Sequence, residues 1–158
     1  MGNTRSLCSS NLQIMRNLSI IIAVSFFLFT SAMPSQGSMS LEVSNIKETK
    51  GRIWVGIYES DADFLNREKS RLVEMAVDHA GNVIIPINAL AYGKEYALAI
   101  FHDENDNGEM DRNWLGLPTE PWAFSGEPKT RLRLPVFDEV KFIFEQGMEE
   151  QAVRLRKW

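Results

Sequence analysis

The chain has 158 residues, a formal net charge of −4 and one cysteine. Residues 1–37 hold that cysteine, two of the seventeen Lys and Arg residues and none of the acids, so the remainder has a net charge of −6. An acidic segment without cysteine excludes disulfides and thiolate zinc sites, and it argues against nucleic acid and anionic membranes as partners.

The N-terminus has the three parts of a secretory signal peptide, which we assign to residues 1–37. Two arginines precede an apolar run, Leu18–Phe29, and small residues follow it. The run is shorter than the roughly 20 residues that span a bilayer, so we expect cleavage and no stable membrane span afterwards. The small-residue patterns place cleavage after Ala32 or after Gly37. The predicted location of the mature protein is therefore periplasmic or secreted.

Residues 38–158 are predicted to form one all-β domain, a single β-sandwich of about seven short strands. Apolar and polar residues alternate along several short segments that are separated by turn residues, which is typical of strands. These segments are, in chain order, 41–46, 53–58, 73–77, 83–85, 96–101, 142–144 and 153–156.

Four details refine this prediction. Trp54 and Tyr58 lie opposite the aliphatic face of their strand, which indicates that both faces of that strand are covered. Ser60 has helix N-cap character and predicts a short helix after it. Pro86 restricts its strand to an edge or an end of a sheet. The segment Tyr96–Phe101 is the strongest strand and is predicted to be central, because large apolar residues alternate there with alanines.

An acidic loop follows this strand directly and has the spacing of a calcium-binding loop. Asp103, Asn105, Asn107 and Asp111 place oxygen-bearing side chains at positions 1, 3, 5 and 9, and Glu109 would contribute its backbone carbonyl at position 7. These residues are the predicted calcium ligands. Hard cations require several oxygen ligands at once, and alternating Asp and Asn residues in a tight loop supply them.

The loop also departs from an EF-hand. Trp114 stands at position 12 in place of the bidentate Glu, and a strand precedes the loop where an EF-hand has a helix. Glu120 or water would have to supply the missing ligand. The alternative is a structural turn in which the Asp and Asn side chains bond to the backbone and Gly108 supplies a positive φ. The sequence leaves both interpretations open.

A long irregular stretch, Arg112 to Lys129, contains Trp114, Trp122 and Phe124. Such long loops are usually functional or packed by their own side chains. The three aromatic residues predict either a ligand platform or a cap on the end of the core.

The residues from Tyr96 to Ser125 also form a compound motif. It comprises Tyr-Ala-Leu-Ala-Ile-Phe-His-Asp at 96–103, Glu-Asn-Asp-Asn-Gly at 104–108, Asp111, Leu115-Gly116-x-Pro118-x-Glu120 and Phe124-Ser125. This motif resembles the exported bacterial family labelled domain of unknown function 2141, and the resemblance extends from about Gly51 to Leu155. Pro121-Trp122-Ala123 stands where members of that family carry a turn rich in Gly and aromatic residues. The resemblance implies a transthyretin-like or immunoglobulin-like sandwich outside the cytoplasm, and it implies no activity.

These observations predict a non-catalytic extracytoplasmic binding or structural module with a calcium-binding loop at 103–111. Its partner would be an extracytoplasmic protein or a glycan. One alternative is a hydrolase that uses His102 with Ser125 or a carboxylate, although Ser125 lacks the first glycine of a nucleophile elbow. His102 shares its strand face with apolar residues, which favours a packed histidine. The other alternative is a carbohydrate-binding module that rests on the loop tryptophans.

Overall fold

The computed structural model describes residues 35–130 and 133–157. The described residues form eight strands: β1 (Gln36–Ile46), β2 (Arg52–Tyr58), β3 (Arg71–Ala76), β4 (Gly81–Ala91), β5 (Glu95–Asp103), β6 (Trp122–Phe124), β7 (Phe142–Ile143) and β8 (Glu150–Arg154). Helical structure there is confined to a 3₁₀ turn, Arg67–Lys69, and a single-turn helix, α1 (Phe137–Val140). No helix in the described ranges has the length and apolar character to cross a membrane.

The strands form two sheets. The smaller sheet has the order β4-β1-β8, and the larger has the order β3-β2-β5-β6, with β7 also paired to β5. All seven strands predicted from the alternating pattern are present, and the predicted all-β sandwich is confirmed. Pro86 lies within β4, which is an edge strand, so the constraint that proline places on the ladder is met.

One apolar core lies between the two sheets. The smaller sheet contributes alternating buried residues such as Leu41 and Val43 of β1, and the larger contributes Val55 of β2 and Leu98 of β5. These four side chains are fully buried, each with 0% exposure. β5 pairs with β2 on one edge and with β6 and β7 on the other, so its predicted central position is confirmed.

A second apolar cluster covers the opposite face of the larger sheet. It consists of the buried residues Tyr58, Ala97, Trp122, Phe124, Phe137 and Val140, with Phe64, Leu65, Ala99, Phe101 and Met110 packed against them. Both faces of β2 and β5 are therefore buried, as the placement of Trp54 and Tyr58 predicts. We call this second face the outer face.

Two predictions for the segments between strands are wrong. The helix expected after Ser60 is not formed, since residues 61–65 make turns before the 3₁₀ turn begins. Leu65 has a φ of 64°, a left-handed value that a right-handed helix cannot accommodate. The stretch from Arg112 to Lys129, expected to be irregular throughout, contains β6, which pairs with β5 through Phe101 and Ala99.

The predicted signal peptide lies almost wholly outside the described residues. Its predicted end overlaps β1, because Gln36 and Gly37 pair with Ala91 and Leu90 of β4. The Ser35 carbonyl also accepts a hydrogen bond from the Tyr92 backbone N–H, at 3.1 Å. Strand β1 thus begins at Gln36, two residues before the domain start that the sequence predicts at residue 38.

Candidate functional site

A pocket opens on the outer face, and its floor consists of two small residues. Gly56 of β2 lies directly opposite Ala99 of β5 in the antiparallel register. A Cβ atom at Gly56 would lie 3.0 Å from the Tyr58 ring, so glycine leaves a space that any side chain would reduce. Because every neighbouring outward position on β2 is aromatic, the small pair produces a depression in the sheet surface.

Aromatic side chains form the walls of this depression. The register aligns Trp54, Phe101 and Trp122 in one row across β2, β5 and β6, and it places Phe124 beside Ala99. The Trp122 and Phe124 rings contact each other at a tilt, with centroids 5.5 Å apart. The pocket has a volume of about 240 Å³. Its interior is therefore apolar and preformed by the sheet, as is usual for small-molecule sites.

Three connecting segments form the rim of the pocket. Leu65 and Arg67 come from the segment after β2, Met110, Arg112 and Pro118 from the loop after β5, and Arg133, Leu134 and Pro135 from the segment before α1. The loop that carries the predicted calcium ligands thus also forms one wall of the pocket.

The carboxylate of Asp103 is the anchor of the acidic loop. Asp103 is fully buried on the outer face, and one oxygen accepts hydrogen bonds from the Trp54 indole N–H at 3.2 Å and the Gly108 backbone N–H at 2.7 Å. Its other oxygen accepts from the Asn107 backbone N–H at 3.1 Å. Asp103 therefore satisfies the loop backbone in the way that the structural-turn interpretation requires, and Gly108 has the expected positive φ of 79°.

The other predicted calcium ligands lie together at the loop surface. The side-chain amides of Asn105 and Asn107 donate to the two oxygens of Asp111, at 2.8 and 3.1 Å. The side-chain oxygen of Asn107 accepts from the Glu109 backbone N–H at 2.8 Å. Among residues 35–130 and 133–157, no three His, Cys, Asp or Glu side chains are placed to hold a metal ion. Calcium binding by this loop stays a prediction.

Glu120 connects the two ends of the acidic loop. Its oxygens accept hydrogen bonds from the backbone N–H groups of Glu104, at 2.9 Å, and of Asp111, at 3.1 Å. Burial raises the pKa of the Glu120 carboxyl above its ordinary value; the two backbone hydrogen bonds act against this, and the charges of Asp103 and Asp111 add to it. Glu120 was considered from the sequence as a further cation ligand, and in the structure its oxygens are bonded to the backbone.

His102 and Ser125, the pair considered for hydrolysis, do not contact each other. His102 is fully buried, and its Nε2 atom lies 2.8 Å from the Lys50 carbonyl oxygen, which requires the nitrogen to be the donor. The Ser125 hydroxyl donates to the Val140 carbonyl at 2.5 Å and accepts from the Leu98 backbone N–H at 2.8 Å. Since Leu98 and His102 are four residues apart on β5, about 13 Å separates these positions along the strand.

The aromatic residues of the long loop separate into two environments. Trp122 and Phe124 are buried in β6 and line the pocket, whereas the Trp114 side chain is 90% exposed. A single platform of the three residues is therefore not formed. The sequence left open whether these aromatic residues form a ligand platform or cap the core. In the structure Trp122 and Phe124 pack in the second apolar cluster and line the pocket, and a ligand-binding role stays a prediction.

Sequence reasoning missed most of the pocket. The one available signal was the alternation of Trp54, Gly56 and Tyr58, which places an outward aromatic residue on each side of a glycine. Arg67, Arg112 and Arg133 have no motif around them, and only the folded loops bring them to one rim.

Comparison with known proteins yields one family. The sequence model described as an uncharacterized protein conserved in bacteria (DUF2141) matches residues 41–152, from within β1 to within β8. No curated protein and no solved structure matches the chain.

Proposed function

The chain belongs to the bacterial DUF2141 family, and we propose that it acts as a non-catalytic, extracytoplasmic binding module whose ligand occupies the apolar pocket of the outer face. The observation that carries this proposal is the open volume of about 240 Å³ between aromatic side chains at the centre of the larger sheet. An apolar cavity already formed in the folded protein is favourable for an apolar ligand, because the protein has no ordering cost to meet on binding. The signal-peptide pattern supports the extracytoplasmic part.

The lining of the pocket supports binding rather than catalysis. The described residues that line it are apolar, aromatic or Arg side chains, with no His, Ser, Cys or acidic residue among them. Nucleophilic or general acid–base chemistry needs a nucleophile and a base within hydrogen-bond distance of each other.

A neutral apolar probe tests this proposal. A cavity of about 150 Å³ holds benzene, so a pocket of this size accommodates about ten non-hydrogen atoms, and 1-octanol is a suitable probe. Backbone amide NMR should show saturable shifts centred on Gly56 and Ala99. Ala99→Leu should abolish these shifts by filling the floor, whereas Ala152→Leu, an exposed alanine on β8 of the other sheet, should leave them unchanged. The absence of shifts in the unmodified protein, or equal binding by Ala99→Leu, would refute the proposal.

We propose weak calcium binding by the acidic loop as a second and separate property. Its support is the spacing of the oxygen-bearing residues and the closeness of Asn105, Asn107 and Asp111 in the folded loop. The amides of Asn105 and Asn107 donate to the Asp111 carboxylate, so they would have to turn their oxygens toward the cation. To bind the cation, Asp103 would have to give up its hydrogen bonds from the backbone N–H groups of Asn107 and Gly108, and this lowers the calcium affinity that we expect.

A further inference from the structure

The rim of the apolar pocket is basic, in contrast to the acidic protein around it. The whole chain has a formal net charge of −4, yet the charged side chains that line the pocket are Arg67, Arg112 and Arg133. Each comes from a different connecting segment, so the three guanidinium groups converge only in the folded protein.

One of the three guanidinium groups is neutralised within the protein. Arg133 forms a bidentate ion pair with Glu139, with N–O distances of 2.6 and 3.0 Å, and the Glu139 side chain is only 3% exposed. This pair fixes the segment before α1 against the helix. Arg133 thus has a structural partner and is not counted as an available charge.

Arg67 and Arg112 have no acidic partner in residues 35–130 and 133–157. The Arg67 guanidinium lies over the Trp54 ring, 4.8 Å from its centroid, and also donates to the Gly108 carbonyl. Arg112 donates to the Gly116 carbonyl at 3.1 Å. These contacts leave the positive charge of both side chains uncompensated.

Two acids near the pocket are paired with a different cation. Glu74, which lies opposite Trp54 on the outer face, and Asp106 of the acidic loop both pair with Arg52, at 3.1 and 2.8 Å. Arg67 and Arg112 line the apolar pocket, and neither forms an ion pair with a carboxylate in the described ranges, so both guanidinium groups are available to an anionic ligand. Arg is the side chain best suited to hold a carboxylate at such a site, because its planar donors match the two oxygens.

We propose that the ligand of this pocket is a small amphipathic carboxylate, with its hydrocarbon part between the aromatic walls and its carboxylate held by Arg67 and Arg112. This inference rests on the proposed binding function and adds the chemical class of the ligand. The pocket volume of about 240 Å³ limits the hydrocarbon to a short chain or a single ring. Octanoate, with about ten non-hydrogen atoms, is a fitting probe.

Calorimetric titration with three probes of equal chain length tests this inference. Octanoate should bind at least about tenfold more tightly than 1-octanol, and octylamine should bind most weakly, since only the headgroup charge differs. The double substitution Arg67→Gln and Arg112→Gln should abolish the preference for octanoate. The readout is the ratio of octanoate to 1-octanol affinity within each protein, because both residues line the pocket and the substitution can also change 1-octanol binding. Arg154→Gln, which removes one positive charge from β8 in the other sheet, should have no effect on any probe.

The outcomes separate the two proposals. If 1-octanol binds and octanoate is not preferred, or if the double variant keeps the preference, the carboxylate inference is overturned and the apolar site stands. If none of the three probes binds, both proposals fail. Salt should weaken octanoate binding and leave 1-octanol binding unaffected; equal salt dependence for both probes would also overturn the inference.

Discussion

The buried carboxylate of Asp103 shows how one residue organises the acidic loop. Its two oxygens accept three N–H groups, from the Trp54 indole and from the backbone of Asn107 and Gly108. Asp103→Ala removes the side-chain acceptor of the Trp54 indole N–H and the Gly108 N–H, and each donor left unsatisfied in a buried position costs about 1–3 kcal/mol. Asp103 variants would therefore report on folding rather than on calcium, and a calcium test has to use Asp111.

The loop is expected to bind calcium weakly, with a dissociation constant of about 10⁻⁴–10⁻³ M, because only two of its carboxylates, Asp103 and Asp111, stand at side-chain ligand positions and the bidentate Glu is missing. At about 1 mM Ca²⁺ and a dissociation constant of about 0.1 mM, linkage stabilises the fold by about 1.4 kcal/mol. Thermal melts in Ca²⁺ should then lie a few degrees above melts in EDTA. Asp111→Asn should remove this difference. Asp106→Asn should retain it, because the Asp106 side chain is 55% exposed and pairs with Arg52. Equal melting temperatures in Ca²⁺ and EDTA would leave only the structural turn.

Glu120 predicts a pH dependence of stability. Burial raises the pKa of Glu120 in the folded state above the ordinary value of 4.5. The stabilisation that the protonated carboxyl contributes to the folded state is therefore fully present below pH 4.5, and it is lost as the pH rises through the raised pKa. Glu120→Gln cannot titrate. The stability of the unmodified protein minus that of the variant should therefore fall as the pH is raised from below 4.5, the ordinary pKa of Glu.

Urea denaturation of both proteins over that rise in pH measures this difference. Glu127→Gln serves as a control, since the Glu127 side chain is 80% exposed and lies outside the acidic loop. A difference between the unmodified protein and Glu120→Gln that is flat, or that rises with pH, would contradict the assigned pKa direction.

At the scale of elements, the central position of β5 makes it the strand on which the larger sheet depends. Leu98 is fully buried in the core, so Leu98→Ala should lower the free energy of unfolding by about 2–5 kcal/mol. Ile84→Ala provides a matched control on the edge strand β4, where the side chain is 57% exposed and the loss should be below about 1 kcal/mol. Comparable losses for both variants, measured by urea denaturation, would show that β5 is no more important than an edge strand.

An alternating pattern over five or more residues predicted β1, β2 and β5, and the short apolar segments 83–85 and 142–144 predicted β4 and β7. β6 was missed because three residues after Pro121 provide no period, and only pairing with Phe101 and Ala99 makes them a strand. The prediction of a helix after Ser60 was wrong because it relied on a local N-cap signal, and Leu65 adopts a left-handed backbone conformation that does not continue a helix. Local sequence patterns therefore predicted most of the strands, and they failed at β6 and after Ser60, where tertiary contacts determine the backbone conformation.

At the scale of the molecule, the acidic loop could be located from sequence but the pocket could not. The loop residues are consecutive, so their spacing is visible in the chain. The pocket combines Gly56, Ala99, Arg67 and Arg112 from separate segments, and only the β2–β5 register and the loop conformations bring them together. Charge neutralisation is likewise invisible in the sequence, since Arg133 differs from Arg67 only by its ion pair with Glu139.

The extent of β1 favours one of the two predicted cleavage sites. Cleavage after Gly37 would remove two residues that pair with Ala91 and Leu90, together with the Ser35 carbonyl that binds Tyr92. Cleavage after Ala32 would keep all of these contacts. Intact-mass measurement of exported protein should therefore show a chain that begins at Met33. A mass corresponding to a Ser38 start would contradict this prediction, and one that retains Leu18–Phe29 would contradict cleavage itself.

The parallel pairing of β1 with β8 has a consequence for the order in which the protein folds. Asn45 and Leu155, joined by a hydrogen bond of 2.6 Å from the Asn45 side-chain amide, are 110 residues apart in the chain. Contacts of such long range are formed slowly. A chain that crosses a membrane N-terminus first would emerge with β1 unpaired on the β8 side until the final segment had passed. During that interval β1 is an open template for another strand, so holding chaperones during translocation would have their greatest effect on this one edge.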